Sequence, residues 1–387
     1  MKTMEELYKE RVDRLKATVL HKEPDIVPII QLAETWNVGY ASYKIKEIQN
    51  NPEKEIDAFN RAYEEIYLDA GMISYFTRNV QIFKRLEGGA YFISSDGVTI
   101  QHKEYVHMKD NEYPQLIKDP MGFTESEIFP RKYPALNKPY PENLEALKDS
   151  AKLWGNHVKM TTLSTNYARE KYGMPIIVDS TAMAPVDMIM DFYRGFQGIM
   201  GDIHRRPEEL KEAAEALIPM IMAGALRGRT SLEEFPYIFI PLHIPTYLRP
   251  KQFEEIYWPS FKKVLENVHR LGGKALVYLE GNWEHLYDFV NEFPKDFAIV
   301  LMEKDDIFKA KDKIGKTVTI AGGMDLSMLK NESKEKCIDH AKKVIDHCAP
   351  GGGFIFTTDK IMLTATDVNV DNLKAVNEFV HSYGTYR

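Results

Sequence analysis

Cysteine is nearly missing: 387 residues hold two, Cys337 and Cys348. Two thiols argue against a disulfide scaffold and for a reducing, cytoplasmic compartment. No run approaches the roughly 18–20 apolar residues that a membrane span needs. The N-terminus, MKTMEELYKERVDRLKATVLHKEPD, is charged and lacks the apolar centre of a secretory leader. Blocks of one charge sign are missing too. Lys and Arg number 50 against 57 Asp and Glu, a net charge of −7, and they are scattered. That leaves no electrostatic footprint for nucleic acid or an anionic membrane. The compact metal-ligand spacings H-x-C, HExxH and CxxC do not occur either.

What is present is ordinary globular material, 44% hydrophobic and 28% charged, enough for a large core. Met4–His21 reads as an amphipathic helix closed by Glu23-Pro24-Asp25. Eight apolar, β-like runs follow: Val27–Leu32, Ala70–Tyr75, Pro175–Val178, Tyr237–Leu242, Ala275–Leu279, Phe297–Met302, Thr317–Ala321 and Gly353–Phe356. Helical periodicity occupies most gaps, over about 53–68, 144–171, 207–229, 250–270, 283–292, 305–314 and 332–347. The later runs have no hairpin signal between them, so a parallel sheet is expected. Eight strands alternating with helices predict an α/β fold, a (β/α)8 TIM barrel with an N-terminal helical extension, in one domain over 1–387. A doubly wound open sheet is the alternative. Two insertions interrupt the pattern. Residues 86–107 predict a β-hairpin turning at Asp96-Gly97, and 111–143, with six prolines, predict an ordered surface loop.

In a barrel the residues just past each strand converge on one mouth. They are Glu34 and Trp36 after the first strand, and Tyr75, Phe76 and Arg78 after the second. Asp179 follows the third, His243 the fourth and Glu280 the fifth. Glu303, Asp305 and Asp306 follow the sixth. His243 and Glu280 are the best-motivated pair, because a strand–helix–strand unit delivers both to one sheet edge. Imidazole with carboxylates is a plausible zinc set, His243 and Glu280 with Glu303 and Asp306, leaving a position open for substrate. The bland readings compete. His243 would only hydrogen-bond within the mouth, Glu280 and Asp305 would cap helices, and Asp179 would form a turn instead of acting as base. Cys337 and Cys348 read as packing residues, Gly351-Gly352-Gly353 as a tight turn, and the Met- and aromatic-rich run over 183–200 as core or pocket wall.

Four segments together resemble the uroporphyrinogen decarboxylase superfamily, which includes corrinoid-linked methyltransferases. They are ERVDRLKATVLHKEPDIVPI, MAPVDMIMDFYRGFQGIMGDIHRRPEEL, YLRPKQFEEIYWPSFKKVLENVHRLGGKALVYLEGN, and APGGGFIF with VNVDNLKAV. True decarboxylases of the family carry an arginine-rich segment after the first strand to hold a polycarboxylate. Here that place reads QLAETWNVGY, without arginine, and a polycarboxylate needs fixed cationic donors. The thiol-directed methyltransferases bind zinc through H-x-C before Gly-Asn, where this chain has Tyr278-Leu279-Glu280. The PLH segment ending at His243 and the Glu280-Gly281 pair resemble the methyl-ether (O-demethylase) branch.

The resemblance implies a methyl transfer from a small methylated donor, such as a methoxylated aromatic, to the cobalt of a corrinoid carried by a partner protein. Zinc or a general acid would assist. The expected catalytic residues are His243, Glu280 and Asp179; Glu34, Trp36, Tyr75, Phe76 and Arg78 would hold the donor. A homodimer is one assembly open to such a chain. Two alternatives stand beside this: a metal-free decarboxylase gripping its acid with Arg78 or Arg194, and a non-catalytic small-molecule-binding barrel.

Overall fold

The computed structural model describes residues 2–386. Eight parallel strands run through it: β1 (Ile30–Gln31), β2 (Ala70–Gly71), β3 (Val178–Thr181), β4 (Tyr237–Leu242), β5 (Ala275–Leu279), β6 (Ala298–Met302), β7 (Thr319–Met324) and β8 (Phe354–Thr358). β3 to β8 form one sheet in sequence order, and β1 pairs with β2. Parallel bridges at Gly71–Ile176 and Ile29–Phe356 join the two pieces at both seams. The ring is closed. It is the TIM barrel that the alternation of runs predicts.

The strands ALVYL and AIVLM are apolar at every position because a barrel strand has no solvated face. Leu276, Tyr278, Ile299, Leu301, Ala321 and Ile355 pack together inside the ring. Their strand neighbours Ala275, Val277, Leu279, Ala298, Val300 and Met302 pack outward against the helices. Side chains alternate along a strand, so the same parity sends Glu280 and Glu303 inward at the carboxyl ends of β5 and β6. Tyr237 and Phe239 belong to the inner cluster as well, and parity carries that side of β4 on to His243. The opposite end of the ring is plugged by the N-terminal helix, Met4–Val19, whose Leu15 and Val19 join the inner cluster.

The hairpin is present, Tyr91–Ile93 against Ile100–His102, with Gly97 at φ +80° as the turn requires. Residues 111–143 correct the expected loop: they are largely helical, over Tyr113–Lys118, Pro120–Phe123, a π-helical turn Thr124–Ile128 and Phe129–Lys132. Their prolines stand in first turns, where a missing N–H costs nothing. Tyr113, Leu116, Phe123 and Ile128 bury themselves in the outer core. Cys337 and Cys348 are buried and free; burial pushes the Cys348 thiol up to about 12. Gly351, Gly352 and Gly353 all take positive φ in a turn before β8. None of the described helices is long and apolar enough to cross a membrane.

Candidate active site

β4 ends at Leu242 and β5 at Leu279, paired in register, so the next residues, His243 and Glu280, meet at the mouth. His243 Nδ1 lies 2.8 Å from Glu280 Oε2. The other ring nitrogen, Nε2, lies 3.5 Å from Asp191 Oδ2. All three side chains keep roughly 30% of their surface open, so a bound molecule can reach them. Gly281, directly after Glu280, sits at φ +77° with Thr246 against it. Only glycine turns the chain there without strain.

Two carboxylates from the run over 183–200 complete the cluster. Pro185 opens a helical turn, Pro185–Ile189, and a π-helical turn, Met190–Arg194, continues it. Asp187 is fully buried. It accepts the backbone N–H groups of His243 at 3.3 Å and Ile244 at 2.9 Å, and the Tyr257 hydroxyl. It thereby anchors the end of β4. Burial pushes Asp187 up to about 7, against the pull of His243 and of those hydrogen bonds. Burial likewise raises Asp191, while the charges of His243, Arg78 and Lys132 pull it back.

Burial on its own would discharge His243. The hydrogen bond to Glu280 and the charges of Asp187, Glu280 and Asp191 outweigh it and lift the ring to about 9. At neutral pH the imidazole therefore holds both protons. One is donated to Glu280; the other, on Nε2, faces the mouth beside Asp191. The cluster is a proton donor held in place from both sides.

Most of the remaining expected residues do not join this cluster. Glu303 Oε2 accepts the Gly281 N–H at 2.6 Å, one residue from Glu280. Asp306 caps the helix Ile307–Ile314 through the N–H groups of Phe308 and Lys309, the role expected of Asp305. Asp305 instead accepts the Trp283 N–H. Asp179 is drawn away from the mouth. Its neighbour Val178 pairs with Tyr237, the first residue of β4, and its own carboxylate is taken by Arg229. Asp179 and Tyr75 line a separate side groove of about 390 Å³ with Trp154, His157 and Arg227. Trp36 is wholly buried and stacked on Tyr40 at 4.8 Å; Phe76 is buried edge-on to Phe59 at 4.9 Å. Both are packing residues, because each follows its strand into a turn that folds back on the core. Glu34 accepts a hydrogen bond from Thr77, and Arg78 Nη1 reaches the same hydroxyl at 3.2 Å.

A catalytic zinc takes three protein ligands and keeps a fourth position open. Here His243 Nδ1 is bonded to Glu280, Glu303 to a backbone amide and Asp306 to a helix cap. Among the described residues no group of three or more His, Cys, Asp or Glu side chains is arranged to hold a metal. The expected set does not fit a zinc site as it stands, and no step is derived through one. Arg194, one of the two arginines open to the decarboxylase alternative, is spent on Asp202 at 2.6 and 3.0 Å and on the Met108 carbonyl at 2.7 Å.

A family model described as "Uroporphyrinogen decarboxylase (URO-D)" matches residues 116–383, a span that includes His243, Glu280, Asp187 and Asp191. The chain belongs to the uroporphyrinogen decarboxylase family. Comparison with curated proteins gives no match. Among solved structures, the chain is similar to a methyltransferase from Methanosarcina mazei, with 16% identity, a TM-score of 0.63 and coverage of 99% of both chains. A weaker likeness, 13% identity and a TM-score of 0.46, is to a B12-independent methionine synthase from Shewanella sp. W3-18-1 in complex with selenomethionine; it covers 92% of this chain and 98% of that one. At 16% identity the likeness to the Methanosarcina mazei structure is one of fold, and it agrees with the closed barrel.

The uroporphyrinogen decarboxylase-like barrel thus carries a cluster that strand-end reasoning finds only in half. His243 and Glu280 follow strands directly. Asp187 and Asp191 stand four apart in a Met-rich helical run, and that i, i+4 spacing was the available signal that both share one face.

Proposed function

We propose that the chain is a methyltransferase that takes a methyl group from a small methylated donor, a methoxylated aromatic being the class that suits it, with His243 as general acid. The acceptor is the cobalt of a corrinoid on a partner protein, which supplies the nucleophile when docked at the mouth. In the transfer the methyl–oxygen bond breaks and its electron pair stays on oxygen. An alkoxide or phenoxide leaves poorly unless it is protonated as it forms. The Nε2–H of His243 supplies that proton, so the products are a free hydroxyl compound and the methylated acceptor.

The observation that carries this reading is the His243 imidazole held between Glu280 and Asp191 and open to the mouth, where those carboxylates raise its basicity. Glu280 fixes the ring and sustains its charge. Asp187 fixes the backbone that bears it. A folded-state value near 9 keeps the acid charged at neutral pH while still able to give the proton up to a stronger base. A general acid contributes about 10²–10⁴-fold.

The test is an anaerobic assay of methyl transfer from a panel of methyl aryl ethers to chemically reduced cob(I)alamin. The wild-type protein is expected to release the phenol, and His243→Asn to lower kcat by about 10²–10⁴-fold. Carbon dioxide release from aromatic acids, with no methyl transfer from any ether, would replace this reading with the decarboxylase.

A further inference from the structure

Two cations whose charges act on Asp191 stand beside the mouth without a direct ion pair. The Arg78 guanidinium lies 4.5 Å from the ring centroid of Tyr91, on the hairpin. Lys132 Nζ lies 4.6 Å from the ring centroid of Phe192, and Phe192 follows Asp191 directly in the chain. The walls between them are aromatic: Tyr91 packs on His102 at 4.9 Å and on Phe83 at 4.8 Å. Among the described residues neither cation forms an ion pair with a carboxylate. The contrast with their surroundings is sharp. Arg131, next to Lys132, is taken up by Glu112 and Glu127, and Arg194 by Asp202.

We propose that Arg78 and Lys132 form an anion subsite at the mouth of the barrel, one that grips a carboxylate on the methyl donor and turns its methoxy group toward His243. The identity of the donor rests on the methyl-transfer reading; the subsite itself does not. Burial holds Lys132 down at about 8, despite the pull of Asp191, and the Arg78 charge presses the same way. A bound carboxylate relieves both penalties and meets a guanidinium suited to bidentate contact. The hairpin and the helix Phe129–Lys132 both serve the subsite, since the first places Tyr91 beneath Arg78 and the second carries Lys132.

Calorimetric titration with benzoate, set against its neutral analogue benzamide, tests the subsite without any chemistry. The expected result is benzoate binding that weakens at least 10-fold in Arg78→Gln and in Lys132→Met, is largely kept in Lys132→Arg, and exceeds benzamide binding in the wild-type protein. Circular dichroism on each variant separates lost binding from lost folding. Equal affinity for benzoate and benzamide, or unchanged benzoate binding in folded Arg78→Gln and Lys132→Met, overturns the subsite and leaves the cations as a balance for Asp191 and Glu280. Benzoate binding with no methyl transfer from any ether would keep the subsite and overturn only the reaction.

Discussion

At the scale of residues the site is an imidazolium contested by burial and by three carboxylates. Glu280 makes the direct hydrogen bond, so it decides the outcome. Glu280→Gln keeps the shape and removes the charge. The His243 value should then fall from about 9 toward the ordinary 6.5, and activity that needs the protonated ring should be lost at lower pH. The sign follows from the raised folded-state value. The contribution of His243 to stability is fully present below about 6.5 and disappears as pH rises through about 9. In the variant the alkaline limb of kcat should move down by at least one pH unit, checked by a pH–rate profile and an NMR titration of the His243 ring. An unmoved limb would mean that another group carries the proton. His243 and Glu280 were legible because each stands one residue past a clear apolar strand. Asp187 and Asp191 were not, because a Met-rich helix reads as core until the fold shows which face it turns to the mouth.

At the scale of elements, precision comes from irregular turns. The π-helical turn Met190–Arg194 follows a helix with Asp187 buried in it and turns Asp191 toward His243. A turn of this kind inserts one residue and re-aims its side chains. Gly281 does the same after β5. Gly281→Ala would force a side chain into positive φ, which costs roughly 1–2 kcal/mol, and would press its Cβ against Thr246. The expected result is a loss of about 2 kcal/mol or more in urea unfolding, together with a fall in kcat as Glu280 leaves His243. Stability and rate both at wild-type level would show that the turn does not place Glu280. Helix and strand identity was legible from periodicity, but the helices over 113–132 were not. Their prolines read as breakers, and only burial of Tyr113, Leu116, Phe123 and Ile128 shows them to be first-turn residues of packed helices.

At the scale of the whole molecule, closure of the ring makes the mouth possible. Asp69, just before β2, is fully buried; it pairs with Arg14 of the N-terminal helix and accepts the Ile29 N–H at 2.8 Å. One carboxylate thus ties the plug of the barrel to its first two strands, at the seam where pairing is shortest. The barrel was legible from eight apolar runs alternating with helical periodicity. That seam was not, since β1 and β2 are two residues each and their register depends on partners far away in sequence. Closure brings the ends of β4 and β5 and the turn over 190–194 to one opening, where the proposed methyl transfer draws its proton from His243. The most direct test of that claim is the dependence of single-turnover rate on the leaving group, compared between wild-type protein and His243→Asn. The account predicts a deficit in the variant that grows as the leaving phenol becomes more basic and nearly vanishes for a trimethylated ammonium or sulfonium donor, whose leaving group needs no proton. A deficit equal for every donor would contradict it, leaving His243 a structural role alone.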